Sequence, residues 1–281
     1  MIVVLSDLHL GVSGAPAPAA LAPILEGCTE VIINGDAAEE STARLASRAR
    51  DAIGQLREVI HRAGAAMVRI EGNHDPGSGD LLAWRAEGRV LVTHGHAFHP
   101  AIAPWARHAR RTAEAFHAEH AARAGMPEPE RSLHAARAAS IAERALEEAA
   151  GTVEVLSAMA TRPWTFPQVI GWWRMFPELA ARFIERAAEH ATLADRPRPL
   201  VAVAGHSHKA GAWMVRGSLV LNTGSFTFPG TPHAVRMDHE TVTIAPLARR
   251  KGEWRQVDAS ARSWTMDAVA RASAARSTPV E

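Results

Sequence analysis

The sequence predicts an α/β fold, and two features carry that prediction. Short apolar segments with the length of buried strands alternate with helical patterns in residues 1–99, and the strand pattern resumes near residue 199. Four strands in the first part of the chain each end in a loop that bears a histidine or a carboxylate. In α/β folds the loops at the carboxyl ends of strands form the binding crevice, so these loops are expected to meet at one site.

The first part of the chain alternates between the two element types. Five apolar segments are expected to be strands, at residues 1–5, 29–33, 66–70, 81–85 and 89–93. A short helix is expected at 19–26. A longer helix is predicted to run from a cap at Ser41 or Thr42 to about Arg62, because one face carries Leu45, Ala49, Ile53, Leu56 and Ile60.

The middle of the chain has a different composition. Residues 100–198 show no clear strand and are rich in Ala, Arg, Glu and His, with helices expected at about 103–123, 130–150 and 175–194. Short strands then resume, at 200–204, 212–215, 218–221, 234–237 and 241–244, and a last helix is expected near 262–275. We therefore expect a core formed by residues 1–99 and 199–250, a helical insertion at 100–198 that acts as a lid or cap, and a C-terminal extension at 251–281.

Composition limits the classes of function. The chain has 281 residues, 47% of them hydrophobic, and a net charge of +1, which gives no global attraction for nucleic acid or an anionic membrane. The single cysteine, Cys28, excludes a disulfide framework and a cysteine-based zinc site, so any metal ligands should be nitrogen and oxygen. Met1 leads directly into a strand, and no stretch has the length of a membrane span, so we expect a cytoplasmic protein without a signal peptide.

The loops at the strand ends supply the residues of a two-metal site. The expected ligands are Asp7, His9, Asp36, Asn73, His94, His206 and His208. Asp36 is expected to bridge two divalent ions, and a hydroxide between the ions would attack phosphorus. His74 is the expected general acid for the leaving group, and Asp75 is expected to orient it.

These loops resemble the five sequence blocks of the calcineurin-like metallophosphoesterases. The blocks are Asp7-Leu8-His9, Gly35-Asp36, Gly72-Asn73-His74-Asp75, His94-Gly95-His96 and Gly205-His206-Ser207-His208. The resemblance implies a four-layer αββα sandwich. It also implies one metal on Asp7, His9, Asp36 and His208, and a second on Asp36, Asn73, His94 and His206, with His74 as general acid. The expected cofactors are two ions of manganese, iron or zinc.

The resemblance does not cover residues 100–198, which are expected to select the substrate. The UDP-diacylglucosamine pyrophosphohydrolases also carry a helical insertion at this place, which implies a nucleotide-linked lipid or another small phosphoester as substrate. One part of the insertion is rich in aromatic and other large apolar residues, with Trp164, Phe166, Ile170, Trp172, Trp173, Met175 and Phe176 close together. They either bind acyl chains or the inner face of a membrane, or pack the insertion onto the core. Substrate phosphate is expected to bind Arg107, Arg110 or Arg111.

Two alternative functions stay open. One is a nuclease, because DNA-repair exonucleases carry the same five blocks, although no long basic stripe marks a nucleic-acid surface here. The other is a non-catalytic scaffold that presents the Trp-rich insertion to a partner. The complete ligand set favours an enzyme over the scaffold.

Overall fold

A computed structural model of the chain describes residues 1–40, 44–193 and 197–277. Side chains are described for these residues except 147, 149–166, 190–193, 276 and 277. The elements in chain order are β1 (Ile2–Leu5), α1 (Ala22–Leu25), β2 (Glu30–Asn34), α2 (Ala46–Arg62), β3 (Ala66–Ile70), β4 (Ala83–Arg85), β5 (Val90–Val92), α3 (Ala109–Ala122), α4 (Glu130–Leu193), β6 (Val201–Ala204), β7 (Gly211–Val215), β8 (Ser218–Asn222), β9 (His233–Met237), β10 (Thr241–Arg250), β11 (Glu253–Gln256), β12 (Arg262–Thr265) and α5 (Met266–Ser277).

The strands form two sheets. The first has the order β11-β10-β9-β1-β2-β3, with β12 also paired to β10, and the second has the order β4-β5-β6-β8-β7. Parallel pairing joins β1 to β2 to β3 in the first sheet and β5 to β6 to β8 in the second. Each sheet therefore has a central set of parallel strands whose carboxyl ends lie at one edge.

Successive side chains of a strand point to opposite faces of the sheet, and both faces of each sheet are apolar. In β1, Val4 points into the space between the sheets, where it shares a cluster with Val203 of the second sheet. Its neighbours Val3 and Leu5 face the opposite way and pack with Leu56 of α2. The outer face of the second sheet is covered by the helices α3 and α4. The layers are thus helix, sheet, sheet, helix, and this confirms the expected αββα sandwich.

The helix α4 folds back against itself. Leu133 near its start and Phe183 near its end lie in the same buried cluster, and Arg186 is close enough to help lower the pKa of Glu128, which burial alone would raise. In a straight helix, residues 130 and 186 would stand more than about 80 Å apart. We call residues 130–146 the N-terminal arm and residues 167–189 the C-terminal arm. Both arms contribute buried side chains to the cluster on the second sheet.

Several predicted boundaries differ from the structure. The helix α2 begins at Ala46, and Ser41 and Thr42, the expected caps, lie outside the described residues. The residues between the expected helices at about 130–150 and 175–194 are helical as well, so both arms belong to the one element α4. Strands β11 and β12 were not expected, yet both pair with β10, so the first sheet continues beyond residue 250. Within the described residues, no helix combines the length and the apolar character that a membrane crossing needs.

Candidate metal centre

The loops that follow β1 and β2 are held together by their backbones. Beyond the end of the two strands, the amide of Asp7 donates to the carbonyl of Gly35 at 3.1 Å, and the amide of His9 donates to the carbonyl of Asp36 at 2.9 Å. The amide of His206, in the loop after β6, donates to the carboxylate of Asp7 at 3.1 and 3.2 Å. The polar loops of both sheets therefore meet at one edge of the sandwich, as the sequence predicts.

Five of the expected ligands have a left-handed backbone conformation. Their φ angles lie between 47° and 64°, at Asp7, His9, Asp36, His206 and His208. A residue with a side chain pays about 1–3 kcal/mol for such a conformation, and it persists only where the surrounding structure holds it. Strain of this kind concentrates at functional sites. The backbone at this edge therefore holds a strained conformation, which sets the direction of the side chains of the expected ligands.

The first expected ligand set converges. One ligand atom from each of Asp7, His9, Asp36 and His208 lies within 4.8 Å of the others. Nε2 of His208 is 3.2 Å from Oδ1 of Asp7 and 3.3 Å from Nε2 of His9, and Nε2 of His9 is 3.9 Å from Oδ2 of Asp36. These are the four residues that the resemblance assigns to one metal.

The second expected set is arranged as two close pairs. Nε2 of His94 lies 3.3 Å from Oδ2 of Asp36, and Nδ1 of His206 lies 3.0 Å from Oδ1 of Asn73. The Nε2 atom of His94 is fully buried and has no partner with hydrogen-bond geometry. Buried polar atoms are rarely left in this state unless a ligand or ion meets them.

The outer nitrogen of each imidazole is fixed by a neighbour. Nδ1 of His94 lies 2.9 Å from the carbonyl of Asn34, and Nε2 of His206 lies 3.1 Å from the carbonyl of Ile102. A carbonyl only accepts, so each of these nitrogens must be the donor and the other nitrogen carries the lone pair. In the neutral imidazoles, Nε2 of His94 and Nδ1 of His206 then present lone pairs towards Asp36 and Asn73, at 3.3 and 3.0 Å, and a cation or a proton can lie between the paired atoms. The residues present therefore fit a metal.

Three glycines make room for these side chains. A Cβ atom on Gly35 would lie 2.3 Å from the His94 ring, one on Gly72 would lie 2.2 Å from Oδ1 of Asp36, and one on Gly205 would lie 2.3 Å from Oδ2 of Asp7. Each glycine precedes a ligand and borders a ligand from a different loop. This close approach explains why three of the sequence blocks begin with glycine.

Charge is distributed unevenly among the imidazoles when no metal is bound. Burial alone would lower the pKa of His94, but Asp36 and Asp7 outweigh it and raise the pKa to about 10. Burial and the neighbouring His94 lower the pKa of His206 to about 4. Burial tends to raise the pKa of Asp36, yet His94 and His74 hold it well below its usual range. The same carboxylates that attract a proton to His94 would attract a divalent cation.

Glu39 is a site residue that the sequence interpretation missed. Its carboxylate lies 2.9 Å from Nδ1 of His9, and 2.9 and 3.1 Å from Nδ1 of His74. Glu39 is buried, and one of its oxygens is grouped with His9 and His74 as a second set of converging polar atoms. The available signal was a carboxylate three residues after Asp36, in the same loop.

Asp75 has a different role from the predicted one. Its two oxygens accept hydrogen bonds from the backbone amides of Asp36, Ala37 and Gly72 at 3.1, 2.9 and 2.7 Å, and from Arg69 at 2.9 Å. Glu39, rather than Asp75, is the carboxylate that holds Nδ1 of His74. Asp75 therefore ties together the backbones of two loops, and the expectation that it orients His74 is corrected.

The three arginines expected to bind substrate phosphate have exposed side chains. Arg107, Arg110 and Arg111 are exposed at the start of α3, and Arg110 pairs with Glu114 one turn along its own helix. Besides Arg69, two arginines of the N-terminal arm of α4 lie beside carboxylates of the site. Arg137 pairs with Glu71, and Arg144 lies 3.5 Å from Glu39.

Aromatic residues of the C-terminal arm pack beside the loop that bears His206. Trp172 is buried with its ring centroid 6.1 Å from that of His206, and Nε1 of Trp173 donates to the carbonyl of Ser207 at 2.7 Å. Phe176 is buried, whereas Met175 is half exposed. The side chains of Trp164 and Phe166 lie outside the described residues. Trp172 and Phe176 thus pack the insertion onto the core, which is one of the two roles expected for these aromatics.

Comparison with known proteins found similarity in structure only. No protein-family model matches the chain, and no curated protein matches it. A conserved uncharacterized protein from Streptococcus pneumoniae TIGR4, described as a predicted phosphoesterase, matches at 15% identity over 94% of this chain and 96% of its own, with a TM-score of 0.42.

Two further matches concern metal-containing or dimetal proteins. Vps29 from Entamoeba histolytica, complexed with zinc, matches at 13% identity over 94% of this chain and 98% of its own, with a TM-score of 0.41. A dimetal phosphatase from Danio rerio matches at 9% identity over 91% of this chain and 98% of its own, with a TM-score of 0.42. At such distances the functional argument rests on the geometry of the site.

Proposed function

We propose that this protein is a dimetal phosphoesterase, which hydrolyses a phosphoester or phosphoanhydride bond. The observation that carries the proposal is the orientation of its buried imidazoles. His94 and His206 each donate their outer nitrogen to a backbone carbonyl, and His9 directs its outer nitrogen to Glu39. Histidines that bind metals almost always make such an outer contact, because it fixes the tautomer that presents a lone pair to the ion.

We assign the donor atoms to two positions that would share the carboxylate of Asp36. Asp7, His9, Asp36 and His208 would hold one ion, and Asp36, Asn73, His94 and His206 would hold the other. Imidazole nitrogen and carboxylate oxygen without thiolate suit manganese, iron or zinc. When bound, two such cations supply Lewis acidity to a phosphoryl oxygen and lower the pKa of a water molecule towards neutrality.

His74 is suited to protonate the leaving group. Its Nδ1 atom is held by Glu39, while its Nε2 atom lies 4.0 Å from Oδ2 of the shared Asp36. The side chain is one-third exposed, so a substrate oxygen can reach it. A proton carried on Nε2 would pass to the departing oxygen, and Glu39 would stabilise the imidazolium that carries it.

The substrate we propose is a small phosphoester, which residues 100–198 would select as a lid. In support of this role, Trp173 of the C-terminal arm bonds Ser207, which lies between the expected ligands His206 and His208. The N-terminal arm approaches the site from another side, through Arg137 and Arg144. Access to the centre would therefore depend on groups that the lid presents.

An activity screen with added manganese tests the proposal. The substrates are 4-nitrophenyl monoesters, bis-aryl diesters, nucleotide-linked pyrophosphates and DNA. We expect hydrolysis of at least one ester or anhydride, and a loss of more than about 100-fold in Asp36→Asn and His94→Ala, because each change removes a metal ligand. Asp238→Asn, at an exposed turn, is the control and should keep wild-type activity. Full activity in Asp36→Asn would refute the site assignment, and hydrolysis of DNA alone would favour the nuclease.

A further inference from the structure

Two arginines of the N-terminal arm of α4 reach the catalytic loops from the same helical face. Arg137 and Arg144 are seven residues apart, which is two helical turns, so their side chains lie above one another. Nε of Arg137 is 2.8 Å from both oxygens of Glu71, and its Nη2 is 2.8 Å from Oε2. Nη2 of Arg144 is 3.5 Å from Oε2 of Glu39.

The Glu71 pair fixes the arm against the site. The side chain of Glu71 is fully buried, and Glu71 directly precedes Gly72 and Asn73 at the end of β3. Without Arg137, the buried carboxylate of Glu71 would lose its cationic partner. The arm is therefore held at a defined height above the loop that carries His74. That position brings Arg144 to Glu39.

Glu39 then has three cationic or imidazole partners around one buried carboxylate. Oε1 lies 2.9 Å from Nδ1 of His9, and both oxygens lie close to Nδ1 of His74, at 2.9 and 3.1 Å. Oε2 also lies 3.5 Å from Nη2 of Arg144. The side chain of Glu39 is 8% exposed and that of Arg144 is 16% exposed, so water screens the pair weakly. A guanidinium at Oε2 opposes rotation of the carboxylate away from the two imidazoles.

We propose that Arg144 is a positioning residue for hydrolysis, which holds Glu39 in the orientation that aims the His74 ring at the leaving group. The inference rests on the proposed function. It makes the helical insertion part of the catalytic unit, because a residue of the insertion sets the geometry of the proton donor. Arg144 is not one of the metal ligands or proton donors in this scheme, and it would act through Glu39.

The dependence of rate on the leaving group tests this role. The aryl ester class that the wild type hydrolyses with manganese is compared in its 4-nitrophenyl and phenyl forms. Phenolate needs protonation more than nitrophenolate, so a misaligned His74 should slow the phenyl ester selectively. We expect Arg144→Met to lose about tenfold in kcat on the phenyl ester and less than about threefold on the nitrophenyl ester, with KM unchanged. Arg144→Lys keeps the charge, and its loss of kcat on the phenyl ester should lie between zero and that of Arg144→Met. If Arg144→Met does not fold, Arg144→Lys measures the selective loss on the phenyl ester.

A matched control and a second readout separate this inference from the proposed function. Arg123→Met removes an arginine that pairs with Glu119 on the surface of α3 and should match the wild type in both assays. In the metal-free protein, the imidazole protons of His9 and His74 that face Glu39 should give slowly exchanging downfield proton resonances. These resonances should weaken in Arg144→Met and persist in Arg123→Met.

Two results would overturn the inference: equal loss on both esters, or unchanged rates with both resonances retained. A wild type that is inactive on every ester and pyrophosphate of the screen would instead overturn the proposed function. The resonances would then still report whether Arg144 fixes Glu39.

Discussion

Replacing Asp75 with alanine should destabilise the fold by about 4 kcal/mol or more. The change leaves the buried amides of Asp36, Ala37 and Gly72 without their acceptor, and each such loss costs about 1–3 kcal/mol. Arg69, whose side chain is 14% exposed, loses one of its two carboxylate partners as well. Set against a total stability of about 5–15 kcal/mol, a cost of this size is a large fraction. In a protein of this length it corresponds to a drop of about 8–16 °C in Tm.

Urea denaturation of the metal-free protein measures this cost. A chelator keeps metal binding out of the comparison, and the midpoint and slope of each transition give the free energy of unfolding. Asp238→Ala is the matched control, because Asp238 accepts backbone amides of Glu240 and Thr241 in an exposed turn where water can replace it. The control should lose less than about 1 kcal/mol. If Asp75→Ala lowers the free energy of unfolding by less than about 1 kcal/mol and abolishes activity, the structural role is refuted. Asp75 would then have a role in catalysis, as the sequence predicts.

Three further predictions concern the metal centre. Gly205→Ala should weaken manganese binding measured by calorimetry, because the new Cβ atom would lie 2.3 Å from Oδ2 of Asp7, whereas Gly125→Ala, in open surroundings, should bind as the wild type does. In the metal-free protein, the pKa of His94 is raised from 6.5 to about 10, so His94 contributes stability that is fully present below pH 6.5 and lost as the pH rises towards 10. The difference in urea midpoint between wild type and His94→Gln should therefore shrink over that interval, and a constant difference would contradict the charge assignment. Manganese at 100 times its Kd should stabilise the wild type by about 2.7 kcal/mol, and His94→Ala should lose most of this gain in thermal denaturation.

The positions of the expected ligands could be predicted because they depend on local features. Each follows a short apolar strand, and parallel strands bring their carboxyl ends to one edge whatever the details of packing. Asp7, His9, Asp36 and His208 meet for this reason, although β1 and β6 belong to different sheets.

The interactions that support the site could not be predicted in the same way. Asp75 follows His74 directly, but the chain bends at residues 73–75, and the carboxylate of Asp75 turns back to accept the amides of Gly72 and Asp36. Glu39 carries no mark in the sequence that selects His9 and His74 as its partners. Arg144 is far from every sequence block, and only the folding back of α4 and its contact with Glu71 bring it to the site.

The pairing of β1 has a consequence for how the protein is made. This strand lies between β2, which is synthesised soon after it, and β9, where Val4 pairs with Val235 near the other end of the chain. Contacts between such distant segments form late and slow folding, because a long loop must close before they stabilise anything. During synthesis Asp7 and His9 emerge first, while His206 and His208 emerge only after the whole insertion. A nascent chain therefore cannot assemble either ligand set, and metal loading would mark the completion of the fold.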